Sequence, residues 1–234
     1  AYGGIGKAFL RSGNYEMAVK YFKESIDRKN YSKAFILFRR ENMREIFPVL
    51  MTVICLLAVC FPLIRKFLIS RIRRITFFKK DVIKYPLRLI LHPFDEYWEL
   101  KYRREKKTNL IISFVILALL SLTRMLQEQY NGFLVNYNNP KEFNSLLQIV
   151  YVVLPVLFWS VANWSLTTLI DGEGKFSEIF TSTCFALTPL ILIGIPWILL
   201  SNFISAEEAS FYYFMQSFAV LWCLYLLFVG KIGR

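Results

Sequence analysis

From residue 46 onward, long apolar runs alternate with short polar connections, and the runs are too many and too long for a soluble core. Five of them, 46–64, 109–125, 146–170, 179–204 and 211–229, approach the length a membrane-crossing helix needs, which is roughly 20 mostly apolar residues. None shows the two-residue alternation of a membrane strand, so helices are expected and a barrel is not. The second run is the shortest because Arg124 closes it, although that side chain could reach back to the interface. Pro155 in the third run, and Pro189 and Pro196 in the fourth, each remove a backbone hydrogen bond and favour kinks. The expected fold class is all-α: a polytopic membrane helical bundle.

Residues 1–45 follow a different pattern. Ile5-Gly6, Phe9, Gly13-Asn14-Tyr15, Ala18, Phe22 and Ser25 are spaced for two antiparallel helices. Gly6 and Ala18 would let the pair approach, Gly13-Asn14 would turn the chain, and Phe9, Tyr15 and Phe22 would pack, the last two in the groove between helices. Ala34, Phe35 and Phe38 continue the periodicity as a capping helix toward the first span. The pattern resembles a tetratricopeptide repeat, which implies an α-solenoid fragment that binds a protein partner and performs no chemistry. The plain alternative is a juxtamembrane helical hairpin. One repeat cannot bury its own apolar face, so further repeats or a capping partner are expected before Ala1. With no initiator methionine or signal peptide, the chain reads as part of a longer one, with any targeting signal upstream.

Composition agrees with a membrane class: 56% hydrophobic, 17% aromatic, mean hydropathy +0.41. The net charge of +12 is unevenly placed, with 14 Lys or Arg in residues 65–109 and 10 in residues 1–45. Basic residues beside spans suit anionic headgroups and topology control, and no nucleic-acid partner is expected. The positive-inside bias assigns 65–109 to the cytoplasm. The repeat and the connections 126–145 and 205–210 then fall outside, and the 171–178 loop inside. The ten cations before the first span oppose this orientation, unless an upstream signal leads that domain across. Cys55, Cys60, Cys184 and Cys223 fall within spans without ligand spacing and read as apolar packers. His92, the only histidine, has no cysteine or carboxylate cluster at ligand spacing, so neither a metal nor a cofactor is expected.

Within the basic segment, residues 85–98 are too short to span but mix Leu, Ile, Phe, Tyr and Trp with flanking cations. That suits a helix in the interface plane, with His92, Pro93, Phe94 and Trp98 at its centre. A membrane-hugging connecting loop is the alternative. Pro86 and Pro93 should limit helix starts, with Pro93 in the first turn of a helix over 94–103.

Between the third and fourth spans lies the charged loop Asp171, Gly172, Glu173, Gly174, Lys175, Phe176. Its brevity implies a tight antiparallel hairpin, its glycines the unusual angles of a reversal, and Ser177 or Asp171 a helix cap. A compatible second role is a partner or lipid-headgroup contact. Arg124, Gln148 and Asn163 are the polar groups nearest the bilayer interior; Asn163 should bond between helices or sit at the interface.

The order His92-Pro93-Phe94, Gly132-Phe133, Asn163-Trp164, the loop continued by Ser177-Glu178, Phe185-Ala186-Leu187-Thr188-Pro189 and Trp222 resembles the Yip family (Ypt-interacting proteins), bacterial members in particular. The resemblance runs from about residue 85 to 229. It implies a bundle of about five spans, the last beyond Arg234, with the 46–64 helix an addition that tethers the repeat. It also implies an accessory or scaffold role in a bacterial cytoplasmic membrane, with carbohydrate importers of the ATP-binding-cassette type as partners. The domains expected are thus the end of the repeat domain (1–45), a connecting helix (46–64), a basic segment (65–108) and the bundle (109–234). A non-enzymatic scaffold, contacting lipids, membrane proteins such as importer permeases, and a protein held by the repeat, leads. A transporter or channel subunit with a polar path between kinked helices is second. An intramembrane enzyme is third, since the spans hold no Ser-Lys or paired-aspartate motif.

Overall fold

The computed structural model describes residues 2–44, 46–47, 78–137, 143–169 and 174–232. The span expected over 46–64, with Cys55 and Cys60, lies almost wholly outside them, as do residues 65–77. The chain divides into two compact units, Ala1–Lys79 with Ile204–Ala209, and Lys80–Phe203 with Ser210–Arg234. Described residues are helical or connecting, without strands.

In the first unit α1 (Tyr2–Arg11) and α2 (Tyr15–Glu24) form a hairpin, followed by α3 over residues 28–44. Phe22, Ala18 and Ala34 are fully buried at its centre, with Phe9, Leu10, Val19 and Tyr31 around them. Gly6 is required there, because a Cβ would stand 2.8 Å from the Phe22 ring. Tyr15, expected in the groove, is half-buried and outside this cluster, which Tyr31 of α3 borders.

Both helices of the hairpin end in the same hydrogen-bonded cap. The amide of Asn14 donates to the Phe9 carbonyl across Gly13, and that of Asp27 to the Phe22 carbonyl across Ile26, each at 3.0 Å. The residue crossed must be left-handed, and the φ values are 79° at Gly13 and 56° at Ile26. Glycine takes that angle freely; a β-branched isoleucine is strained in it. Asn14 then caps α2 by accepting from the Met17 amide.

The same unit contains a two-pronged ion pair, Arg39 Nη1 and Nη2 donating to Glu208 at 2.8 and 2.9 Å. Glu208 also accepts from the Ser205 amide at 2.8 Å, and Ser32 Oγ accepts from the Ala206 amide at 2.9 Å. The guanidinium lowers the Glu208 carboxyl from 4.5 to about 2, with the Ser205 amide helping.

The second unit begins with α4 (Phe78–Leu91) and α5 (Pro93–Tyr102). Its long helices are α6 (Lys106–Tyr130), α7 (Ser145–Leu169), α8 (Phe176–Ala186), α9 (Thr188–Ser201) and α10 (Ala209–Ile232). Among the described residues four stretches are long and apolar enough to cross a membrane: α6, α7, α8 joined to α9, and α10 as far as Gly230. Three departures from expectation follow. α6 continues past Arg124, which pairs with Glu128 one turn on at 2.8 Å and so ends nothing. Pro86 lies inside α4, which runs through it and forgoes one backbone bond, whereas Pro93 does sit in the first turn of α5. Pro189, expected to kink a span, stands at a break in it between α8 and α9, whereas α7 and α9 continue through Pro155 and Pro196.

The interruption has a local remedy. Pro189 lacks the amide that would reach the Phe185 carbonyl four residues back, and Thr188 Oγ1 donates to that carbonyl instead, at 2.7 Å. Elsewhere hydroxyls in the spans fold back onto their own helix. Ser113 bonds to Asn109 O, Ser121 to Leu117 O and Thr123 to Leu119 O, at 2.8–2.9 Å.

α6 packs against α7, α8 and α9. Where α6 ends, Gly132 meets the end of α9: its amide donates to Ser201 Oγ at 2.8 Å, and a Cβ would lie 2.0 Å from the Ser201 carbonyl oxygen. Asn202 Nδ2 reaches the Tyr130 carbonyl, and Asn131 Nδ2 the Tyr212 hydroxyl on α10. Backbone abuts backbone here, so no rotamer change can make room for a methyl group.

Two outcomes follow. Arg39→Gln should raise the midpoint of the Glu208 carboxylate, read as the infrared band that Glu208→Gln removes, from about 2 toward 4.5. Because the folded value lies below the ordinary one, the pair's stabilisation is complete above about 4.5 and lost as pH falls toward about 2; an unchanged midpoint would contradict the pairing. Gly132→Ala should cost about 3 kcal/mol of bundle stability, measured as a fall in thermal unfolding temperature in detergent, with Gly4→Ala, in open space on α1, as the control that should not destabilise.

Candidate functional site

The features that the sequence singles out in the second unit gather where α5 meets the beginnings of α6 and α8 and the end of α10. His92 precedes a proline, which disfavours the helical region for it; it lies outside that region, with φ −132° and ψ 69°, and caps α5 without a side-chain bond. α5 buries Pro93, Glu96, Tyr97 and Leu100 along one face. Tyr97 Oη donates to the Leu226 carbonyl at 3.0 Å, and its ring lies where a Cβ on Gly230 would stand 2.9 Å away. Leu100, with Leu89, Ile112, Ile116, Phe185, Leu226 and Val229, completes the core beneath.

A charged pair is buried in the same place. Arg104 and Glu96 form an ion pair with side chains 8% and 3% exposed, and Glu99 adds a longer contact at 3.4 Å. The guanidinium lies over the Tyr85 ring, 3.5 Å from its centroid. Sequence reasoning missed this cluster. Its only signal was a glutamate on the otherwise apolar face of α5, in a segment whose many cations made Arg104 look like one among equals.

The opposite face of α5 is apolar too. Phe94, Trp98 and Tyr102 are exposed one turn apart, continuing from Leu87 and Leu91 on α4. Lys101 Nζ lies 5.1 Å from the Tyr102 ring centre and the Arg103 guanidinium 5.7 Å from that of Trp98.

Asp171, Gly172 and Glu173 of the charged loop lie outside the described residues; Gly174, Lys175 and Phe176 lie within them. Gly174 has no left-handed angle, and a Cβ there would make only ordinary contacts at 3.7 Å, so it does not serve the reversal as expected. Lys175 is the cap residue of α8, without a side-chain cap bond, and Ser177 falls inside the helix. Glu178 in the first turn receives Lys106 Nζ at 2.7 Å, joining α8 to α6. Phe176 stacks on Phe180 and meets Trp164 edge-on, with centroids 6.3 and 6.1 Å apart, and Phe180 also meets Phe114. The loop's aromatic end is thus a packing element between α6, α7 and α8.

Between α5, α7, α8 and α10 lies a small polar cavity of about 10 Å³, lined by Tyr97, Trp159, Asn163, Ile179, Ser182, Thr183, Leu227 and Gly230. That is room for one water. Asn163 does not bridge helices: its Nδ2 donates to the Trp159 carbonyl of its own helix at 2.7 Å. Ser182 and Thr183 likewise both donate to the Ile179 carbonyl. Among the described residues no group of His, Cys, Asp and Glu could hold a metal ion.

The Yip1 domain family is matched over residues 87–231, more than half of the chain. The chain belongs to that family. It has no significant match among curated proteins or among solved structures. This Yip1 domain begins beside Arg88 and ends just past Gly230, so α5, the buried ion pair and the α10 end that receives Tyr97 all fall inside it. It makes the protein an integral membrane protein, with four apolar helices able to span among the described residues.

Removing one partner of the buried pair should expose how the domain end is held. Arg104→Met leaves the Glu96 charge unpaired and should cost about 3–5 kcal/mol, whereas Tyr97→Phe loses one hydrogen bond at about 1 kcal/mol. Thermal unfolding in detergent should rank them in that order, and Glu96→Gln with Arg104→Met should recover most of the larger loss.

Proposed function

We propose that this Yip1 domain protein is a non-enzymatic membrane scaffold, or an accessory subunit, whose spans dock to a membrane complex while the N-terminal helices hold a protein partner. The observation that supports it most is the uneven use of the spans. The most apolar stretch of α6 is 44% buried, but that of α7 is only 17% buried. α7 thus presents Leu146, Leu154, Phe158 and Leu169 outward. Such a helix contributes a surface rather than a core, which suits a lateral partner in the bilayer. The charged loop, Asp171 to Phe176, joins α7 to α8 and would supply the polar part of that contact.

On this reading residues 1–45 end a tetratricopeptide-type repeat domain, 46–64 tether it, 65–108 form the cytoplasmic basic segment and 109–234 the bundle. The hairpin with its third helix supports the repeat assignment. An extracytoplasmic repeat is supported by the Arg39–Glu208 pair, which joins α3 to the segment 204–209 expected on that same side. A bacterial cytoplasmic membrane and a carbohydrate importer of the ATP-binding-cassette type are the setting and partner that the family resemblance suggests. A second reading, a transporter subunit, draws on the break before Pro189, but the cavity between α5, α7, α8 and α10, at about 10 Å³, has room for no more than one water.

Affinity purification of the full chain in mild detergent should recover membrane proteins in fixed ratio, importer permeases first among them. Outward-face charges on α7, such as Leu154→Lys with Phe158→Lys, should abolish recovery without dispersing the chain's own fold. Isolation of the chain alone under several gentle conditions would count decisively against a scaffold.

A further inference from the structure

Beside Trp98, the end of α4 and the start of α5 enclose an open groove of about 450 Å³, lined by Arg88, His92, Asp95, Glu96, Trp98 and Glu99. Its charges are sorted by helix. Arg88 and His92 stand one turn apart at the end of α4, and Asp95 and Glu99 one turn apart on α5, with Trp98 on the same helix. Glu96 and Glu99 are engaged by Arg104. The side chains of Arg88, His92 and Asp95 make no hydrogen bond or ion pair among the described residues. A guanidinium, an imidazole and a carboxylate thus share one groove with their bonding capacity unspent.

The depth of the groove follows from what holds α5. Tyr97 is bonded to Leu226 and packed on Gly230, at the limit of one span, and Asn109 Nδ2 contacts the Leu100 carbonyl in the first turn of another. α5 therefore sits level with the ends of the spans, where headgroups and not acyl chains surround the protein. Exposed Leu87, Leu91 and Phe94 on the same two helices offer apolar surface alongside.

We propose that this groove binds the headgroup of a zwitterionic phospholipid, its phosphate at Arg88 and His92 and its ammonium at Asp95, beside Trp98. A phosphate suits a guanidinium, and an ammonium suits a carboxylate beside an indole. An anionic headgroup would satisfy Arg88 but set its charge against Asp95 and Glu99, and a simple cation would meet the reverse conflict. Only a ligand carrying both signs a few bonds apart leaves no group opposed. The assignment is independent of what the spans dock to.

The test uses the full chain, mixed in mild detergent with phosphatidylethanolamine and phosphatidylglycerol of equal chain length and read by native mass spectrometry. Phosphatidylethanolamine should be retained severalfold over phosphatidylglycerol. Arg88→Gln and Asp95→Asn should each erase that preference at unchanged unfolding temperature, both side chains being exposed. Equal retention, preference for phosphatidylglycerol, or a preference that survives both substitutions would overturn the proposal; the wild-type ratio alone decides if a variant fails to fold. Phosphoethanolamine without acyl chains should displace the lipid only at far higher concentration, and displacement at matched concentration would reassign the groove to a soluble ligand.

Discussion

Tyr97 lies against Gly230 because α10 offers no side chain at that point, and its hydroxyl is tied to the Leu226 carbonyl. This close approach seats α5 on the end of α10. With α5 seated, Leu100 enters the core, Glu96 is carried out of water, and Arg104 must follow to neutralise it. The outward residues of α5 are placed by the same event. A helix of ten residues has little intrinsic stability, so its position depends on this anchoring and on the buried pair, and the groove beside Trp98 inherits that rigidity.

The rest of the bundle answers to the absence of water. Span hydroxyls bond to carbonyls of their own helix, which satisfies them without linking neighbours. Joints between spans among the described residues include those at the ends, where Gly132, Ser201, Asn202, Tyr130 and Tyr212 connect three helices at one side, and Lys106 with Glu178 at the other. Between those joints the helices are held by shape, as at Gly194, where a Cβ would come within 2.9 Å of Thr123.

Much of this was legible in the residues because the signals were local. Apolar length located the spans, Gly13-Asn14 located the hairpin turn, and Pro93 located the start of α5. The misreadings share a cause: each required a partner distant in sequence or a choice between local remedies. Arg124 looked like a terminus because its partner Glu128 lay beyond the apolar run. Gly174 looked like a turn residue because the loop is short and holds two glycines, and Asn163 looked like an interhelical or interfacial group because its own carbonyl acceptor cannot be seen in a hydropathy pattern. Glu96 and Arg104 gave no pairing signal at all, since eight residues and a helix end separate them.

The break before Pro189 divides one span into halves of unequal standing. Every residue of α8 from Ile179 to Ala186 is buried, while α9 keeps Leu192, Ile195, Leu199 and Leu200 outward. α8 is thus enclosed by protein, whereas α9 turns these residues away from the bundle while packing on α6 through Gly194 as well as at the Gly132 joint. At the join the Thr188 hydroxyl covers the Phe185 carbonyl. One span therefore has an enclosed inner half and a half-exposed outer one, so what the surrounding membrane presents to this span is met by α9.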